Sequence, residues 1–70
     1  MPLSIAPMGL PVKIVKITAD EKTRRHLENL GIIVGTEIHP VSGSGGNVIV
    51  KVKEGRLALG RDLAMKILVA

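Results

Sequence analysis

Along most of this chain apolar and polar residues alternate in short runs, and a single stretch follows a helical period instead. Val12–Ile17 is rich in β-branched residues and predicts a first strand. Its apolar residues are Val12, Ile14, Val15 and Ile17, with Lys13 and Lys16 between them. The two-residue period slips at Ile14–Val15. A slip of one residue sends the following side chains to the other face, so a bulge or sharp bend is predicted there. From Asp20 to Leu30 the period changes: Thr23, Leu27 and Leu30 fall on one helical face, and Lys22, Arg25, Glu28 and Asn29 are left to water. Asp20 suits an N-cap and Glu21 complements the positive end of the helix dipole; Thr18 and Glu21 form an alternative capping box one start earlier. Gly31 supplies a left-handed cap, so the helix should stop there. A helix this short must pack against something to persist.

The rest of the pattern predicts strands. Thr36–Val41 is the second, and Pro40 places it at a sheet edge because proline offers no ladder N–H. Ser42 to Asn47 is a glycine-rich turn. Asn47–Lys53 alternates most regularly, with Val48, Val50 and Val52 on one face and Ile49, Lys51 and Lys53 on the other. Glu54-Gly55 predicts a tight turn into Arg56–Leu59, where Leu57 and Leu59 point inward. Gly60 to Ala64 is a corner with one helical turn capped by Asp62, and Met65–Val69 is the last strand. Residues 1–11 carry Pro2, Pro7 and Pro11 and form an extended lead-in, with Leu3, Ile5, Met8 and Leu10 covering one end of the core. The whole is mainly β: five short strands with one short helix after the first, in a single domain over residues 1–70, closing into a small barrel so that edges are not left open.

Composition sharpens this picture. Hydrophobic residues make up 46% of the chain and aromatic residues none, so the core is aliphatic. The lack of cysteine removes disulfides and thiolate metal ligands, and suits a reducing compartment. No apolar run approaches the ~20 residues of a membrane span. The first residues do not resemble a secretory signal. The expectation is a cytoplasmic protein. Ten Lys and Arg against six Asp and Glu give 10 − 6 = +4, which favours acidic partners and is also ordinary for solubility.

Candidate chemistry is sparse. His26 and His39 lie 13 residues apart, without the spacing that brings two imidazoles to one metal, and the carboxylates do not converge with them. Gly43-Ser44-Gly45-Gly46-Asn47 lacks the Lys-Ser/Thr ending of a phosphate cradle and precedes a strand. Asp20 and Glu21 are neighbours that diverge on a helix, so no acid–base pair is built. The expectation is therefore no catalytic residue, no metal ligand and no cofactor. Nonspecific nucleic-acid binding is the alternative that the charge allows. Stacking on bases, however, calls for aromatic side chains that the chain does not have.

The segment from Arg25 to Ile38 resembles the FeoA family. The match lies in a helix ending Leu30-Gly31-Ile32, a two-residue step, Gly35, and a strand opening near Ile38. Leu57-Ala58-Leu59, Ala64, Ile67 and Val69 resemble the family's last two strands, and Ile5 to Gly9 resembles its opening turn more loosely. The resemblance implies an SH3-like barrel and a non-enzymatic accessory or regulatory role in bacterial ferrous iron uptake. It also implies docking on the cytosolic, GTP-binding part of the membrane iron permease FeoB. Between Gly31 and Gly35, the latter expected at positive φ, stand three β-branched residues: Ile32, Ile33 and Val34. Alternation allows at most two of them to point inward, so Ile33 or Val34 should be exposed. With Arg25 on the nearby rim, Arg25, Ile33 and Val34 are the candidate partner-binding residues.

Overall fold

The computed structural model describes every residue except Glu54 and the side chain of Ser44. A short 3₁₀ turn at Leu3–Ile5 precedes strand β1 (Val12–Ile17) and helix α1 (Glu21–Asn29). Then follow β2 (Glu37–Ser44), β3 (Asn47–Val52), β4 (Gly55–Gly60), the single-turn helix α2 (Arg61–Ala64) and β5 (Ile67–Val69). The strands form one antiparallel sheet in the order β4-β3-β2-β1-β5, so the first strand pairs with the last and the chain is tied end to end. The architecture is the mainly β, five-stranded one that the pattern predicts.

The core is aliphatic throughout. Leu3, Ile14, Leu27, Ile32, Ile38, Val50, Ile67 and Val69 are fully buried. Val48, Val50 and Val52 all face inward from β3, as their alternation requires. The slip in β1 is also real: its register with β5 shifts between Ile14 and Lys16, leaving Val15 exposed. On its β2 side, Ile14 is bonded to the step after α1. The Ile14 amide donates to the Thr36 carbonyl at 2.9 Å, and the Gly35 amide donates to the Ile14 carbonyl at 2.7 Å.

Several expectations need correction. β2 lies inside the sheet order, and Pro40 is buried. Two features accommodate it. β1 pairs with β2 only at Val12–Ile38 and Lys13–Glu37, so the half of β2 carrying Pro40 runs past β1, and there the Gly9 amide donates to the Pro40 carbonyl at 2.7 Å. The β2–β3 register also shifts between Pro40 and Ser42, and a bulge tolerates a missing N–H. The glycine-rich turn is shorter than expected, because the strands run on to Ser44 and Asn47. Gly45 and Gly46 alone make it, with φ of 59° and 83°, the pair of positive angles that a two-residue type I′ hairpin demands. In the lead-in the 3₁₀ turn buries Leu3, while Ala6 is the other inward residue; Ile5, Met8 and Leu10 face solvent. Asp62 does not cap α2. Gly60 holds the cap position without a side-chain bond, and Asp62 sits in the first turn. β5 begins at Ile67, since the Met65 and Lys66 amides still donate back to the Arg61 and Leu63 carbonyls in the turn that closes α2. The turn expected at Glu54-Gly55 involves a residue outside the described ones.

Candidate docking face

Helix α1 is fastened at both ends by local chemistry. At its start the Thr23 amide donates to the Asp20 carboxylate at 2.8 Å. Hydrogen bonding from Thr23, through its side chain and its amide, holds the Asp20 carboxyl below its ordinary range. At its end the Gly31 amide donates to the Glu28 carbonyl at 3.0 Å and the Ile32 amide to the Leu27 carbonyl at 2.9 Å. That pair of bonds is a Schellman cap, with Gly31 at φ 96° in the left-handed position. Its hydrophobic clasp is Leu27 with Ile32, both fully buried.

The chain then turns from Ile33 to Thr36. The Thr36 amide donates to the Ile33 carbonyl at 3.1 Å, and the Thr36 hydroxyl donates to the same oxygen at 2.6 Å. Gly35 is the third residue of this turn with φ 93°, the angle a type II turn needs there. Ile32 is thus drawn into the core while Ile33 and Val34 ride on the turn, 41% and 52% exposed. Both candidate aliphatics lie at the surface.

Ile33 lines a groove of about 790 Å³ between the end of α1 and strands β2 and β3. Leu30 and Gly31 line it from the helix side, His39 from β2, and Lys51 and Lys53 from β3 and just beyond. The volume is within the ordinary range of binding pockets, ~300–1,000 Å³. Arg25 does not reach it. Its guanidinium is tied to Glu21 at 2.6 Å along the helix, its side chain is 73% exposed, and it borders a separate shallow depression with Lys22 and His26. Asn29 belongs to both hollows. Val34 lines neither. The structure therefore puts Ile33 at the groove, Val34 beside it on the same turn, and Arg25 on the neighbouring helix face.

The strand side of the groove was not legible as a site. His39 stands directly opposite Lys51, and Lys51 directly opposite Arg56, so three basic side chains share one outer row across β2, β3 and β4. In the sequence these residues are 12 and 5 positions apart and read as ordinary solvent-facing strand positions. His26 and His39 remain on different elements, a helix and a strand. Among the described residues, no three His, Cys, Asp or Glu side chains gather closely enough to hold a metal ion. Nor does any described helix have the length and apolarity to cross a membrane.

Comparison with known proteins agrees with this geometry. A profile of the FeoA domain matches residues 1–70. A protein of Methanocaldococcus jannaschii, provisionally named Fe(2+) transport protein A, is 37% identical over 68 residues, covering 97% of this chain and 83% of that protein. A crystal structure of an iron uptake regulatory protein, FeoA, superposes with a TM-score of 0.87 at 30% identity, covering 99% of this chain and 93% of the other. Stenotrophomonas maltophilia FeoA, a zinc complex described as a procaryotic SH3 domain protein, superposes with a TM-score of 0.78 at 26% identity, covering 100% and 89%. The cap-and-turn motif, the five-stranded SH3-like sheet and a full-length family match converge: the chain belongs to the FeoA domain family, a family of ferrous iron transport.

Proposed function

We propose that this chain is a non-enzymatic, cytoplasmic accessory protein of ferrous iron uptake that docks on the cytosolic GTP-binding part of a FeoB-type permease and regulates it. The observation that carries the reading is the exposed aliphatic pair Ile33–Val34, held by two positive-φ glycines on a rigid turn beside a groove. Rigid apolar residues with a polar surround are the usual centre of an interface. Stenotrophomonas maltophilia FeoA has been put forward as a ferrous iron transport activating factor, and a regulatory role for this chain is in line with that. In this reading Ile33 and Val34 supply the apolar contact and Arg25 a charge on the rim.

The test measures binding of the purified chain to the permease's GTP-binding domain, alongside iron uptake in cells. Ile33→Glu should weaken binding by about tenfold or more, and Arg25→Glu by less, since rim charges act mainly on association rate. If both variants bind and support uptake as the parent does, the docking face lies elsewhere. Salt-dependent binding to random RNA, with none to the permease domain, would favour a nucleic-acid role instead.

A further inference from the structure

We propose that the groove beside Ile33, together with its basic wall, receives an extended acidic segment of the partner polypeptide that also carries aliphatic side chains. The inference rests on the docking role proposed above and names the chemistry of what is docked.

The sheet register carries it. His39, Lys51 and Arg56 form a single row across three strands, and Lys53, just beyond β3, lines the same groove as Lys51. All four are exposed. Lys51 and Arg56 are like charges placed directly opposite, which opposes folding, so this pair costs the free protein stability and is relieved when negative charge settles over it. Glu28 and Glu37 also line the groove, two carboxylates against the three cations Lys51, Lys53 and Arg56, so a cationic excess remains. Glu37 is moreover shared with Lys13, directly opposite it on β1.

The surroundings select the class of occupant. Leu30 and Ile33 line the same groove as Lys51 and Lys53, so aliphatic and cationic contacts are offered within one concavity. A concave site does not suit the plane of a membrane. A chain without aromatic residues gives nucleobases no ring to stack on. A polypeptide whose side chains alternate between carboxylate and aliphatic meets both walls at once.

The experiment uses the full chain, labelled with ¹⁵N and titrated with a soluble nonapeptide in which Glu and Leu alternate. A second peptide with Lys in place of Glu, a short oligouridylate and anionic phospholipid vesicles serve as comparisons. The expected result is saturable shifts confined to residues 28–39 and 51–56, weakened by salt and absent with the Lys peptide. Lys51→Glu and Arg56→Glu should each weaken the acidic peptide about three- to tenfold, the scale of an exposed ion pair turned into a repulsion. Lys51→Glu should at the same time raise the melting midpoint, because it converts a facing repulsion into an attraction. A residue that is merely structural would not couple higher stability to weaker binding. Shifts elsewhere, peptide affinity unchanged in both variants, or tighter binding of oligouridylate or vesicles at this face overturns the proposal. The permease domain separates this failure from that of the docking role. If that domain binds Lys51→Glu and Arg56→Glu as tightly as the parent, docking stands and the acidic-segment inference falls. If the acidic peptide binds as expected and the domain does not bind at all, the groove chemistry stands and the permease reading falls.

Discussion

Gly31 and Gly35 do the same conformational job by different local means, one ending a helix and the other the third residue of a turn. A β-carbon on Gly31 would stand 3.8 Å from Val52 Cβ, an ordinary contact, and one on Gly35 would meet nothing within 4 Å. Space is therefore not what excludes a side chain; the positive φ is. Gly31→Val and Gly35→Val should each cost roughly 1–3 kcal/mol by chemical denaturation. Gly45→Asn, at φ 59° in the hairpin, should be close to neutral, because asparagine tolerates that region. Equal losses at all three would mean that packing and not backbone conformation sets the cost. Asp20 adds a pH dependence. Its carboxyl titrates below the ordinary value near 3.8 because hydrogen bonding from Thr23 favours the charged form. A depressed folded-state value means the cap's contribution is present above the unfolded value and is lost as pH falls through the folded one. Melting midpoints followed from pH 6 down to pH 2 (roughly the span over which a capping aspartate protonates) should fall less steeply in Asp20→Ala than in the parent.

At the scale of elements, α1 and the turn after it behave as one unit. The Schellman bonds, the Leu27–Ile32 clasp and the Gly35–Ile14 bond fix where Ile33 and Val34 stand. Leu27→Ala and Ile32→Ala each empty a fully buried site and should cost ~2–5 kcal/mol. Domains of this size hold only ~3–5 kcal/mol in their cores, so either change should leave much of the protein unfolded at 37 °C. Ile33→Ala, one residue on, should stay within ~0.5 kcal/mol while still weakening partner binding. Urea midpoints for the three variants check this, and a large loss for Ile33→Ala would show that the residue serves the core. The sequence pattern located these elements well, because caps and periodicity are local. It misplaced Pro40, whose tolerance depends on where β1 stops pairing and where the β2–β3 register shifts. It also overcounted the lead-in, where a 3₁₀ turn decides that Leu3 and Ala6 go in and Ile5 stays out.

For the whole molecule the decisive pairing is β1 with β5, which joins the two ends of the described chain. Ile67 and Val69 are fully buried and Val69 pairs with Ile14, the residue that also holds Gly35. Loss of the last strand therefore reaches the docking turn. A chain ended after Lys66 should lose its cooperative melting transition and the dispersion of its amide NMR signals. Insertion of two or three glycines between Gly45 and Gly46 should be tolerated, since a β-carbon at either position would meet nothing within 4 Å and loop lengthening costs little. A cooperative, native-like spectrum from the truncated chain would place the stability of the fold in β2, β3 and β4 alone.

By itself the sequence determined the kind of elements, most of their boundaries and the positive φ of Gly31 and Gly35, because alternation, helical period and capping chemistry act over a few residues. It also determined that Ile33 or Val34 must be exposed, since three consecutive β-branched residues between turns cannot all face inward. Only the tertiary structure decided that Arg25 faces away from the groove that Ile33 lines. Only the register decided that His39, Lys51 and Arg56 share a row. Both depend on which strands pair and in what alignment, a choice made by burying the whole aliphatic core at once and carried by no short window of residues.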